Sequence, residues 1–435
     1  MQRERSENMS EWCLIESNPC IFNDMLNRMG AKELSVEDVY DLEFFDDYIN
    51  NKDVVNIENI LSIQEYKSEK EKKNNVDENV LNSSGEKVLY NNNICRETKY
   101  NKLLKNNSYL YGIIFLFNIG NNYNKNKFIE HVVPENLFFA KQVIPNACAT
   151  QAILSIVLNK NIELNEEIKN IKSFSANFDS SMKGFTLSNC NFLRNIHNSY
   201  KAPVYVEREN LNEEKGKSND SFHFVSYIQY DNNVYMLDGL QEGPVLIGDT
   251  TTGFQNGTNE KASWIYIARE HIKKEINDIC NSNNNNNGKG ERESDNRFNI
   301  LAVTKDKEFI IQEFINIHRV LRQRVNIKLI SLGKNITLTD EINEDYYNSL
   351  NIPTIEQLPD SIPELDDIEK KASLEITYLE RLLNDQIEIK NAWNKELTFK
   401  FFNFYPFIMS SLKLMAKHKL LKEVYQKEKQ KKITL

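Results

Sequence analysis

From about residue 46 to residue 107 the chain is dominated by asparagine, lysine and glutamate, with few aromatic residues. Nothing else in the sequence constrains the fold as much. So little apolar surface cannot offset the entropy of ordering the backbone, and a disordered insert is expected there. A second such stretch, 281–296, contains the unbroken run Asn283 to Asn287. Any core must therefore be assembled from segments that lie far apart along the chain. The material for one exists: the chain has 435 residues, 40% of them hydrophobic. At about 150 residues per domain, that length allows two or three domains.

Charge removes one class of function. With 54 basic against 63 acidic residues the net charge is −9, whereas nucleic-acid binding calls for a basic face. Residues 1–10 are polar and lack the apolar segment of a secretory signal. The strongly apolar run at 109–118 is far short of the ~20 residues of a membrane helix. The six cysteines show no CxxC spacing. A reduced, soluble chain of the cytoplasm and nucleus is expected, with neither nucleic acid nor membrane as partner.

The ordered segments carry recognisable patterns. Asn18-Pro19 can start a helix whose apolar residues Ile21, Met25 and Leu26 share a face. Residues 109–117 read as a buried strand, and a helix is expected within 138–159. Residues 221–230 and 234–238 read as strands joined at Asp231-Asn232, and 298–303 as another, followed by a helix to about Arg324. Residues 326–365, with Pro353, Pro359 and Pro363, read as a linker. Beyond it Ala372, Ile376, Leu379, Leu383 and Ile387 place an apolar stripe on one helix, and a second helix follows Pro406. Those helices are either a bundle packed on the main domain or a docking surface.

One cysteine stands out by its setting. Pro145 disfavours helix at Ile144, Asn146 is a good N-cap, and an alanine-rich run follows, which puts Cys148 in a first helical turn. There the helix dipole favours the thiolate, the nucleophilic form. His223 sits inside an apolar strand. If Asp231-Asn232 is a two-residue hairpin loop, Tyr230 pairs with Asn233, and Asp238 becomes a diagonal neighbour of His223 on the same sheet face. Together the three give a Cys–His–Asp arrangement, with the Gln142 side chain and the Cys148 N–H as donors to an oxyanion. Spacing alone leaves a structural cysteine and a satisfied core histidine open as alternatives.

The segment Gln142-Val143-Ile144 through Asn146-Ala147-Cys148-Ala149-Thr150-Gln151 resembles the nucleophile segment of the ubiquitin C-terminal hydrolases. His223-Phe224-Val225-Ser226-Tyr227 and Leu237-Asp238-Gly239-Leu240 resemble that family's histidine and aspartate segments, in the right order. Trp12 to Ser17, Met182-Lys183-Gly184, Leu187-Ser188-Asn189 and Arg297-Phe298-Asn299 agree as well. The resemblance implies an α+β, papain-like fold, an antiparallel sheet flanked by helices, with a crossover loop over the site at about 200–220. It implies a catalytic domain over 11–325, following the tail at 1–10, and catalytic roles for Cys148, His223, Asp238 and Gln142. No metal or organic cofactor is implied. Ubiquitin is the expected substrate, and the related neddylation modifier a second one. Tyr405-Pro406-Phe407-Ile408-Met409 and the lysine-rich end resemble the extension of the long, proteasome-associated member of the family. That implies a proteasomal ubiquitin-receptor adaptor bound through about 366–435. The rival reading is a silent or autoinhibited ubiquitin-binding scaffold on the proteasome.

Overall fold

The computed structural model describes residues 12–50, 109–119, 127, 133–201, 222–251, 263–284, 298–338 and 352–431. The tail at 1–10, nearly all of the first insert, the second insert from 285 and the crossover loop beyond residue 201 lie outside the described residues.

Asn18 and Pro19 start the first helix as expected. The Asn18 side chain accepts from the Cys20 N–H, and Pro19 occupies a position where no N–H is needed. Helix α1 (Pro19–Met29) is followed by a short helix α2 (Asp46–Asn50), by α3 (Cys148–Val157), α4 (Glu166–Phe174), α5 (Ser180–Asn189) and α6 (Asn191–Asn198), and by α7 (Trp264–Asn284). Order thus persists a few residues into the stretch expected to be disordered from 46. The reason is local: Phe44, Tyr48 and Ile49 pack beside the buried Phe45.

Among the described residues six strands form one sheet: β1 (Leu34–Asp38), β2 (Leu110–Asn118), β3 (Phe222–Tyr230), β4 (Asn233–Leu237), β5 (Val245–Asp249) and β6 (Phe298–Lys305). Their order is β1-β6-β2-β3-β4-β5, and every neighbouring pair is antiparallel. The β3–β4 hairpin turns at Asp231-Asn232 with Tyr230 opposite Asn233 and Ser226 opposite Leu237, the register inferred from loop length. Both faces of the sheet are covered. Phe224, Ile228 and Leu301 join α1 and α3 in one core, while Val225, Tyr227 and Ile300 join α7 in the other. Burial on both sides explains why 109–117 is almost continuously apolar rather than alternating. Phe22, Met25, Leu26 and Phe115 are wholly buried, each contributing about 1.5–3 kcal/mol.

Asp306 caps helix α8 (Lys307–Ser331) by accepting from the N–H groups of Glu308 and Phe309. The helix runs on past the expected end at Arg324 because Val325 and Leu329 remain buried. Helix α9 (Ile362–Phe401) lays Leu365, Ile368, Ala372, Ile376 and Leu379 in buried positions, most of them against α8. Of the predicted stripe only Ile387 stays exposed. Within the stretch read as a linker, Ile352 and Leu358 are buried against α8, and Arg324 donates to the Ile352 carbonyl at 2.9 Å. At its far end α9 returns to the first core through Leu397 and Phe401, and Lys400 pairs with Glu16 at 2.6 Å. Two more helices follow, α10 (Tyr405–Lys417) and α11 (Leu421–Lys431).

Candidate active site

Cys148 is the first residue of α3, so its N–H has no acceptor within the helix. Helix α3 is apolar nearly all round, from Ala149 to Val157, and is buried accordingly. Its start differs from expectation. Asn146 is not the N-cap: it has a left-handed backbone (φ 65°), and Ala147 takes the cap position with no side-chain bond. Asparagine is among the few residues with a side chain that tolerate this conformation. Its Nδ2 instead donates to the Trp12 carbonyl at 3.1 Å, tying the turn before Cys148 to the N-terminal segment.

The structure brings Cys148, His223 and Asp238 together. His223 Nε2 lies 2.6 Å from Asp238 Oδ1, and Cys148 stands close enough to the imidazole to favour its charged form. Cys148 is 7% exposed, His223 2% and Asp238 0%, so the contacts are shielded from bulk water. Burial by itself disfavours the imidazolium. The hydrogen bonds and negative charges of Asp238 and Cys148 outweigh it and push His223 up to about 9. Asp238 is held from several sides: Oδ1 also accepts from the Leu240 N–H at 2.9 Å, and Oδ2 accepts from Gln241 Nε2 at 3.1 Å.

Gln142 lies on an extended segment fixed between two others. Its N–H donates to the Gly239 carbonyl at 2.8 Å, and the Lys141 N–H to the Ser180 carbonyl at 2.8 Å. Such close approach needs glycine on both flanks. A Cβ on Gly239 would stand 2.8 Å from Gln142 Cβ, and one on Gly184 2.1 Å from the Lys141 carbonyl oxygen. The Gln142 side-chain amide donates one hydrogen to the Ile144 carbonyl at 3.1 Å. An NH₂ group has a second hydrogen to offer.

Two polar groups at the site left no clear mark in the sequence. Gln241 is one. The other is His197, wholly buried on α6, where its spacing from Leu193 was the available signal. Its Nε2 lies 2.7 Å from the Cys13 carbonyl, which only accepts, so Nε2 carries the proton and Nδ1 accepts from Thr150 Oγ1, also at 2.7 Å. Burial holds His197 down at about 4 and therefore neutral. It ties α3, just past Cys148, to the N-terminal segment.

An antiparallel sheet with a shielded thiol, imidazole and carboxylate in sequence at one end defines the class of cysteine-type hydrolases. Comparison with known proteins narrows the class. The family described as "Ubiquitin carboxyl-terminal hydrolase, family 1" matches residues 12–99 and 96–277. Ubiquitin carboxyl-terminal hydrolase UCH54 of Plasmodium falciparum (isolate 3D7) is 60% identical over 475 residues, covering 100% of both chains. Isozyme L5 of Dictyostelium discoideum is 29% identical, covering 96% of this chain and 95% of its own. Among solved structures, Trichinella spiralis UCH37 bound to ubiquitin vinyl methyl ester matches with 21% identity and a TM-score of 0.41, covering 85% of this chain and 98% of that one. The chain belongs to the ubiquitin carboxyl-terminal hydrolase family, as a cysteine-type ubiquitin hydrolase of the long type that carries C-terminal helices.

Proposed function

We propose that the chain cleaves the amide or isopeptide bond after the C-terminal glycine of ubiquitin, with Cys148 as nucleophile, His223 as proton carrier, Asp238 orienting His223, and Gln142 stabilising the oxyanion. The observation that carries this reading is the buried 2.6 Å contact between Asp238 and His223, with Cys148 beside the same ring. An imidazole held up to about 9 is charged at neutral pH and stabilises a thiolate beside it. The thiolate attacks the carbonyl carbon and the π pair moves to oxygen, where the Cys148 N–H and the Gln142 NH₂ can meet it. Collapse expels the amine, which takes the proton from His223. Neutral His223 then removes a proton from water, which attacks the thioester, freeing the ubiquitin carboxylate and the thiol.

Treatment with ubiquitin bearing a C-terminal electrophile tests this. A covalent adduct is expected, lost in Cys148→Ala. If no adduct forms even with the adaptor present, the scaffold reading replaces it. The neddylation modifier is a proposed second substrate, checked by turnover of its C-terminal amide beside that of ubiquitin.

The extension at about 366–435 is proposed to bind a proteasomal ubiquitin-receptor adaptor, which would place the enzyme in cytoplasm and nucleus. Supporting this, Tyr405, Phe407, Leu414, Leu420 and Tyr425 are all exposed on α10 and α11 or the turn between them. Phe407→Asp with Leu414→Asp in the full chain should abolish adaptor capture while leaving the adduct reaction intact.

A further inference from the structure

We infer that Gln241 is a positioning residue for the reaction: it locks the plane of the Asp238 carboxylate and couples it to residue 127. The inference rests on the catalytic reading of Cys148, His223 and Asp238 given above. Gln241 is wholly buried and touches the carboxylate rather than the reacting atoms. Its Nε2 donates to Asp238 Oδ2 at 3.1 Å, its Oε1 accepts from the Lys127 backbone N–H at 2.9 Å, and its own N–H donates to the Asp238 carbonyl at 3.0 Å. A carboxylate oxygen only accepts and a backbone N–H only donates, so the two partners fix which way round the amide sits.

The far partner is itself anchored. Lys127 Nζ lies 2.8 Å from both carboxylate oxygens of Glu275 on α7, and Glu275 is 3.9 Å from His271 Nε2. His271 Nδ1 in turn lies 3.1 Å from the Tyr227 hydroxyl on β3. Gln241 thus joins the residue that orients His223 to the helix covering the other face of the sheet. Asp238 Oδ1 already serves His223 and the Leu240 N–H. Removing the Gln241 donor takes one hydrogen bond from Oδ2, so the carboxylate plane is held less firmly and the contact that orients the imidazole weakens. The polar position three residues past Asp238 therefore governs chemistry in which it takes no direct part.

Two variants in the full chain, assayed on a fluorogenic C-terminal amide of ubiquitin, test the assignment. Gln241→Met keeps the bulk and removes both polar ends; kcat should fall about tenfold while KM stays within about twofold, the loss typical of one hydrogen bond to a charged group. Gln241→Glu supplies a switch. Protonated, its O–H donates to Asp238 and its carbonyl accepts from Lys127, as glutamine does. Ionised, it faces a like charge and donates nothing. Beside a carboxylate its pKa lies above the usual ~4.3. Its kcat relative to the unmodified chain should be near one at pH about 5.5 and fall about tenfold, reversibly, as pH rises to about 8. A merely structural glutamine would not produce that reversible titration, and the same sample read at both pH values separates it from misfolding. A Gln241→Met kcat within twofold of the unmodified chain, or a Gln241→Glu ratio flat across the range, overturns the assignment. Full activity of Cys148→Ala would instead overturn the catalytic reading beneath it.

Discussion

Asp238→Asn changes one atom, and the surrounding hydrogen bonds determine its effect. Oδ1 accepts from His223 and from the Leu240 N–H, and Oδ2 accepts from Gln241 Nε2. An asparagine has one oxygen for these two sites. Its NH₂ at the Oδ1 position would face the Leu240 N–H, a backbone donor that cannot turn round. At the Oδ2 position it would face the Gln241 amide, whose orientation is set by the Lys127 N–H. Each arrangement leaves a buried donor without its acceptor, a cost of about 1–3 kcal/mol. The backbone clash is the harder to relieve, so the oxygen stays on His223 and the NH₂ meets Gln241.

His223 then keeps an acceptor but loses the charge. Burial, which disfavours the imidazolium, is unchanged and only Cys148 still opposes it, so the value falls from about 9 toward the ordinary ~6.5. A complete shift to that value is about 3 kcal/mol of lost imidazolium stabilisation. At pH about 7.5 a complete shift would empty most of the protonated form, up to about a tenfold loss from protonation alone. The assay is kcat/KM for a fluorogenic ubiquitin amide from pH about 5.5 to 9.5, where the alkaline limb reports the acid needed by the leaving amine. That limb should sit near 9 in the unmodified chain and move down toward the ordinary histidine range, by about one unit or more, in Asp238→Asn. A limb that stays near 9 in the variant, or a loss under about threefold at pH 7.5, would refute the claim that Asp238 holds the proton on His223.

Other perturbations reach the site through its supports. His197 is held neutral by burial, with its value lowered from 6.5 to about 4. Between those values the unfolded chain binds the extra proton, so stability is fully present above pH about 6.5 and declines by about 3 kcal/mol as pH falls to about 4. Urea unfolding at the two ends of that window measures this, and His197→Gln should flatten the slope. Gly239→Ala would put a Cβ 2.8 Å from both Gln142 Cβ and Gln151 Nε2, destabilising by about 1–3 kcal/mol. Displacing Gln142 should lower kcat more than it raises KM, read from steady-state kinetics alongside the denaturation midpoint.

Local chemistry made much of this legible. The two-residue loop at Asp231-Asn232 set the hairpin register from Tyr230–Asn233 to Ser226–Leu237, and Asp238, one residue past the last pair, meets His223 although the ladder does not extend to them. The Asn18-Pro19 start of α1 and the stripe from Ala372 to Leu379 followed from capping and period. The features that stayed hidden depended on partners distant in sequence. Asn146 looked like a cap because cap propensity is local, whereas its actual bond goes to Trp12, and its left-handed backbone makes the turn. Gln241 follows an ordinary Asp-Gly-Leu turn, and nothing in its neighbours announces Lys127. Helix α8 outran its expected end because Ile352 and Leu358, in a stretch without periodicity, cover its last turns.

The same long-range dependence explains why two asparagine-rich stretches coexist with an intact site. Closing a loop costs about 0.6 kcal/mol for each doubling of its length, so a long excursion between α2 and β2 adds little once the ends are held. Those ends are held: Phe45 is buried against the α7 face, and Leu110 pairs with β6. The Cys148 turn takes its restraints from elsewhere. Trp12 and Cys13 bind it through Asn146 and His197, Ser180 fixes Lys141, and Gly239 fixes Gln142. None of these anchors lies in either insert. Each restrains a different atom, and the restraints come from four separate parts of the chain. The nucleophile's geometry is therefore complete only when the N-terminal segment, α5, α6 and the turn after β4 have all docked, which makes it a property of the folded whole and leaves insert length almost irrelevant to it.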